Sequence, residues 1–149
     1  MFVPAEFVVP RSLSAEKFRL EPLGPEHNDA DYAAWTSSIE HIKATPGLAA
    51  WKWPYEMTSE ENLGDLRRHA KDFADRTGFT YTVLSNATGD VIGCVYIYPP
   101  REHDAEHDAK VTSWVRADHA DLDKPLYEAV SGWLARDWPF TSVLYAPRG

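Results

Sequence analysis

Strand-like and helix-like hydrophobic periods alternate along this chain in an order that few folds accommodate. Phe18 and Leu20, followed by Pro22 and Leu23, predict a strand over 17–22. Asn28 or Asp29 can then cap a helix carrying Tyr32, Trp35, Ile39 and Ile42 at spacings of three and four, closed by Pro46-Gly47. The next stretch, from Trp51 to Met57, has no clear period. Thr58 and Glu61 stand at capping-box spacing and open a second helix. Its apolar stripe is Leu63, Leu66, Ala70, Phe73 and Ala74, and Gly78 sits where a C-cap belongs. Two strands, over 79–84 and 91–98, flank a six-residue hairpin connection. A polar stretch over 101–109 leads to a strand over 110–117. Asp121 or Asp123 then caps a helix with Leu126, Val130, Trp133 and Leu134 on one face and Pro125 in its first turn. Pro139 ends that helix, and a last strand covers 141–146. The order predicts an α/β sandwich of three layers, with a mixed central sheet and helices on both faces. Its final strand–helix–strand unit should be a right-handed parallel crossover.

Composition narrows the function classes. The chain has 149 residues, which suits a single domain over 1–149 with residues 1–16 as an N-terminal arm. Six Trp, seven Tyr and six Phe argue against disorder. The formal charge of −8 leaves no basic stripe for nucleic acid and no attraction to an anionic membrane surface. Cys94 is the only cysteine, so neither an internal disulfide nor a cysteine-rich zinc site can form. The start lacks a basic n-region, and no stretch approaches the ~18 apolar residues of a membrane helix. A soluble, cytoplasmic protein is expected.

Three landmarks in this order resemble the GNAT-type N-acetyltransferase superfamily: Phe18-Arg-Leu-Glu-Pro-Leu23, Gly89-Asp-Val-Ile-Gly-Cys-Val-Tyr96, and Thr112-Ser-Trp-Val-Arg116 running towards Leu126-Tyr-Glu-Ala129. The resemblance runs from about Phe18 to the C-terminus and implies a GNAT-like sandwich that lacks the usual C-terminal helix and strands. It also implies acetyl-CoA beside the splayed fourth strand, with its pyrophosphate at the N-terminus of the following helix, where free N–H groups attract phosphate. Trp114, Val115 and Arg116 would then orient the cofactor through main-chain bonds. The family signature there is Gln/Arg-x-x-Gly-x-Gly/Ala. This sequence instead places Asp118, Asp121 and Asp123 at the three signature positions, adding negative charge where a diphosphate should sit.

Two functional expectations follow. The first is transfer of an acetyl or acyl group from CoA to a small-molecule amine acceptor, with Glu106 or His107 as general base and Trp51, Trp53 and Tyr55 walling the acceptor pocket. The second is a non-catalytic binding or assembly module that keeps the fold without acetyl-CoA. His103 and His107 are four apart, but they sit between strands after Pro99-Pro100, so a solvated loop accounts for them better than a metal site. Cys94 lies within an apolar strand and reads as a buried thiol. Finally, the apolar arm over 2–9 and an uncovered edge at the last strand predict a homodimer built from the edge, the arm or both.

Overall fold

In the computed structural model, which describes residues 1–149, six strands form one sheet whose spatial order is their order in the chain. They are β1 (Leu13–Ser14), β2 (Phe18–Pro22), β3 (Phe79–Ser85), β4 (Val91–Tyr98), β5 (Ala109–Val115) and β6 (Val143–Tyr145). All neighbours are antiparallel except β5 and β6, which run parallel. The mixed sheet and the crossover connection match the sequence expectation. β1 was not anticipated, because two residues carry no readable period.

Four helices cover the sheet: α1 (Asn28–Thr36), α2 (Ile39–Lys43), α3 (Ser59–Asp75) and α4 (Asp123–Asp137). Alternation along the strands sends side chains to two separate cores. Phe18, Leu20, Tyr81, Val83 and Val115 pack with Leu126, Val130 and Trp133 of α4. Leu84, Cys94 and Trp114 pack with Trp35 of α1, Ile42 of α2 and Leu66 of α3. Cys94 is buried and reduced, as expected.

Local chemistry corrects several boundaries. The first predicted helix is two helices, because the hydroxyls of Thr36 and Ser37 donate to the carbonyls of Tyr32 and Ala34 and the chain turns at Ser38. Neither Asn28 nor Asp123 is a cap: each is the first residue inside its helix, and no side chain caps α1 or α4. Asn28 is drawn inward to donate to the Ser59 carbonyl. The Thr58–Glu61 capping box does open α3. Its C-cap is Arg76 in the left-handed conformation, two residues before Gly78.

The arm packs on its own chain. Val3 is buried, Phe2 stacks against Phe79 and Phe140, and Phe7 lies against Trp138. Of its large apolar residues, Met1 and Val8 stay largely exposed. Arg76 donates to the Pro4 carbonyl and Tyr81 to the Pro10 carbonyl, fixing the arm at two further points. The arm therefore packs on the α4 side of the sheet.

Two glycines give opposite tests of this architecture. A Cβ on Gly93 of β4 would collide with the Trp114 carbonyl of β5. Gly93→Ala should therefore cost about 1–3 kcal/mol, because backbone must shift. Gly64 of α3 faces open space, so Gly64→Ala should stabilise by up to ~1 kcal/mol through helix propensity. Thermal unfolding of the two variants beside the parent checks both signs.

Candidate functional site

A cavity of about 550 Å³ opens between α3, the Trp51–Met57 segment and the end of β4 next to the start of β5. Its floor is polar because α1 and α3 meet through side-chain hydrogen bonds. Asn62 of α3 donates to Asn28 Oδ1 (2.9 Å) and Asp31 Oδ2 (3.1 Å) of α1, and it accepts from Trp35 Nε1 (3.1 Å). Asn28 in turn donates to Ser59. Asp31 is buried, and the Asn62 bond is its one side-chain hydrogen bond. Desolvation raises its carboxyl to about 6 against that bond, which favours the charged form.

The walls are aromatic. Trp51, Trp53 and Tyr55, the three residues expected around an acceptor, all line the cavity. Trp51 meets Tyr96 edge-on, and Trp53 packs on Trp35 and Trp114. Tyr32 donates to the Met57 carbonyl and anchors the far end of the segment. The irregular stretch is thus held from beneath by rings of α1, β4 and β5.

His69 of α3 also lines the cavity. Its Nδ1 lies 3.0 Å from both Tyr98 Oη and Thr80 Oγ1, and Tyr98 donates to Asp72 (2.8 Å). Burial, with Arg68 next to it, lowers the imidazole to about 4, so it is neutral at pH 7. Sequence reasoning missed Asp31, Asn62 and His69. The capping box located α3, but its apolar stripe drew attention away from polar residues at 62 and 69 that also turn inward.

Glu106 and His107 lie elsewhere, in the connection between β4 and β5. His107 Nδ1 is 2.9 Å from Ser142 Oγ, and Glu106 is exposed. Neither lines the cavity. His103 is exposed beside Asp104. Asp108 accepts from the backbone N–H groups of Thr141 and Ser142 and from the Thr141 hydroxyl, bonds that hold its carboxyl below the ordinary value.

The residues expected to hold a cofactor lie at the other end of β5. Trp114 is buried and donates to Tyr96 Oη (3.0 Å), and Val115 is buried on the α4 side. Arg116 forms a two-pronged pair with Asp118 (3.0 and 2.6 Å) and reaches back towards the Val91 carbonyl. That pair, with His119 beyond it, lowers the Asp118 carboxyl. Between β5 and α4 runs a short 3-10 turn, Ala117–Leu122, which contains Asp118 and Asp121.

Pairing between β5 and β6 stops at Val111 and Tyr145, where β6 ends, which leaves an opening beside Thr112–Val115 of β5 where no β6 residue pairs. The buried Arg148 side chain lies in the opening, bonded to Ser113 of β5 and Asp123 of α4. A phosphate-bearing cofactor would meet acids at 118, 121 and 123 and a guanidinium already in place. The residues present do not fit acetyl-CoA.

No protein-family profile matches the sequence, and no curated protein matches it either. Solved structures do match in shape. The ribosomal-protein-S5-alanine acetyltransferase from Vibrio fischeri superposes with a TM-score of 0.61 at 15% identity, over 83% of this chain and 66% of that one. RimL, a ribosomal L7/L12 α-N-protein acetyltransferase solved in complex with coenzyme A, gives 0.62 at 13% identity, over 86% and 67%. The microcin C7 self-immunity acetyltransferase MccE, solved with acetyl-CoA and AMP, gives 0.59 at 11%, over 81% and 62%. The chain thus spans about two-thirds of the length of these structures. At such low identity the likeness concerns architecture, and the chain has the GNAT-type acetyltransferase fold.

Proposed function

We propose that this acetyltransferase-like protein binds a small amine, as its cation, in the cavity between α3 and the Trp51–Met57 segment. One observation carries the reading: Asp31 is a buried carboxylate with one side-chain hydrogen bond, and it lines an aromatic-walled cavity. A buried charge is costly unless paired, and an ammonium group would supply the pair. The faces of the Trp and Tyr rings attract a cation further. His69, neutral and held by Tyr98 and Thr80, adds a polar contact, and Asp65 is a second acid on a lining that also carries Lys52, Arg68, Arg101 and Lys110.

Acyl transfer to that amine is the second reading, although Glu106 and His107, the expected proton acceptors, lie outside the cavity that would hold it. The shared fold supports it, since RimL and MccE were solved with CoA and acetyl-CoA. Binding without transfer is the better reading, because Arg148 lies in the opening beside β5.

The pH dependence follows from Asp31. Its carboxyl titrates near 6 in the folded chain against 3.8 ordinarily, so the folded state holds the proton more tightly. That contribution to stability is complete below 3.8 and is lost as pH rises through about 6, an effect on the order of 3 kcal/mol. Urea unfolding from pH 4 to 7 should show this loss in the parent, while Asp31→Asn should flatten it.

Ligand binding should run the other way, because only the ionised carboxylate attracts the ammonium. Phenethylamine should raise the melting temperature at pH 7, do so less at pH 5, and have no effect on Asp31→Asn. An equal rise with 2-phenylethanol, which carries no charge, would refute the amine reading.

A further inference from the structure

We infer that Arg148 is the resident occupant of the opening between β5 and β6, a built-in strut that takes the place this fold elsewhere gives to an acyl-CoA. This goes beyond the amine reading and does not rest on it. The opening begins where ladder pairing ends, so the Ser113 carbonyl of β5 lies past the last partner on β6. Arg148 Nη2 donates to that carbonyl at 2.9 Å. Its Nε donates to Asp123 Oδ2 in the first turn of α4 at 2.8 Å, and its Nη1 to the Ala146 carbonyl at 2.7 Å. Every nitrogen of the guanidinium is therefore bonded, and the side chain is only 3% exposed.

The surroundings are built around the same group. Its carbon sits 5.7 Å from the Tyr145 ring centroid and 6.0 Å from that of Tyr127, two rings that themselves pack 4.6 Å apart. The Tyr145 and Ser113 hydroxyls are 2.6 Å apart beside it. From the opposite face, Gly47 closes over the opening. It has a positive φ of 89°, and a Cβ there would come 3.4 Å from Ala146 and 3.8 Å from Thr112. A side chain at 47 would be strained by its backbone, while its contacts would be of ordinary van der Waals length.

Charge makes the arrangement exclusive. Asp123 pairs with Arg148 at the opening, and the nearby turn adds Asp121 beside an Asp118 already paired with Arg116. A cation satisfies that field, whereas a diphosphate opposes it. An arginine also suits the place better than a lysine, since its planar fork meets a carboxylate and two carbonyls that lie in different directions. The strut thus ties β5, β6 and α4 together through a single side chain.

The test uses the full chain, calorimetry and thermal unfolding. The parent should give no heat and no thermal shift with acetyl-CoA or CoA at millimolar concentration. Arg148→Ala should lower the melting temperature by about 10 °C, because it strands a part-buried carboxylate. Methylguanidinium at millimolar concentration should recover part of that loss in the variant and leave the parent unchanged, whereas methylammonium should recover less. Arg148→Lys and Asp123→Asn, which preserve most of the packing, should each lower the melting temperature by a smaller amount and keep the arrangement measurable if Arg148→Ala does not fold. Saturable binding of acetyl-CoA to the parent would overturn the inference, as would unchanged melting of Arg148→Lys and Asp123→Asn. Amine binding is read in a separate titration, so either proposal can fail alone.

Discussion

The Asn62 carboxamide holds the α1–α3 layer together. Both of its N–H groups and its oxygen are bonded, to Asn28, Asp31 and Trp35 of α1. A buried amide with both donors and its oxygen bonded fixes orientation in a way that apolar packing does not. Because the contacts run to one helix from another, the angle between α1 and α3 is set by hydrogen-bond directions. That angle decides how far α3 stands off the sheet, and so how much room remains above Tyr96 and Tyr98. The same contacts keep Asp31 in place at the lining of the cavity.

The architecture was legible wherever one face of an element was apolar and the other polar. The strand over Phe18–Pro22 announces itself in this way, whereas the β3–β4 hairpin is read from two runs around a turn and the start of α3 from the Thr58–Glu61 capping box. What misled was polar chemistry with two local solutions. Asn28 and Asp123 belong to residue types that usually cap helices, and each is diverted to a tertiary partner. The Thr36–Ser38 run breaks a helix through bonds to its own backbone, a competition that hydrophobic spacing does not register.

The site was legible in part. Aromatic residues without a period between two helices, at Trp51, Trp53 and Tyr55, marked one wall. The opposite wall was hidden, because Asp31, Asn62 and His69 look like ordinary solvated helix positions until the helices are docked. Glu106 and His107 stood out for their chemistry, but a loop's position relative to a cavity is a tertiary fact. The three aspartates before α4 were visible from the start as a departure from a phosphate-binding pattern. Their counterpart was not, since an arginine next to the final residue has no periodic neighbours to reveal where its side chain goes.

The sheet's sequential order bears on the way the molecule comes apart. Each strand sits beside its neighbour in the chain, so the sheet can open by peeling from either edge without unthreading the middle. At one edge, β6 is held by three residues of pairing with β5, whereas β3, β4 and β5 are held along nearly their whole length. Amide hydrogens of Val143–Tyr145 therefore belong to a unit that opens before the central hairpin, and the side-chain bonds of the Arg148 guanidinium are what delay that opening. Exchange at this edge reports directly on the state of one arginine, while the central hairpin stays closed.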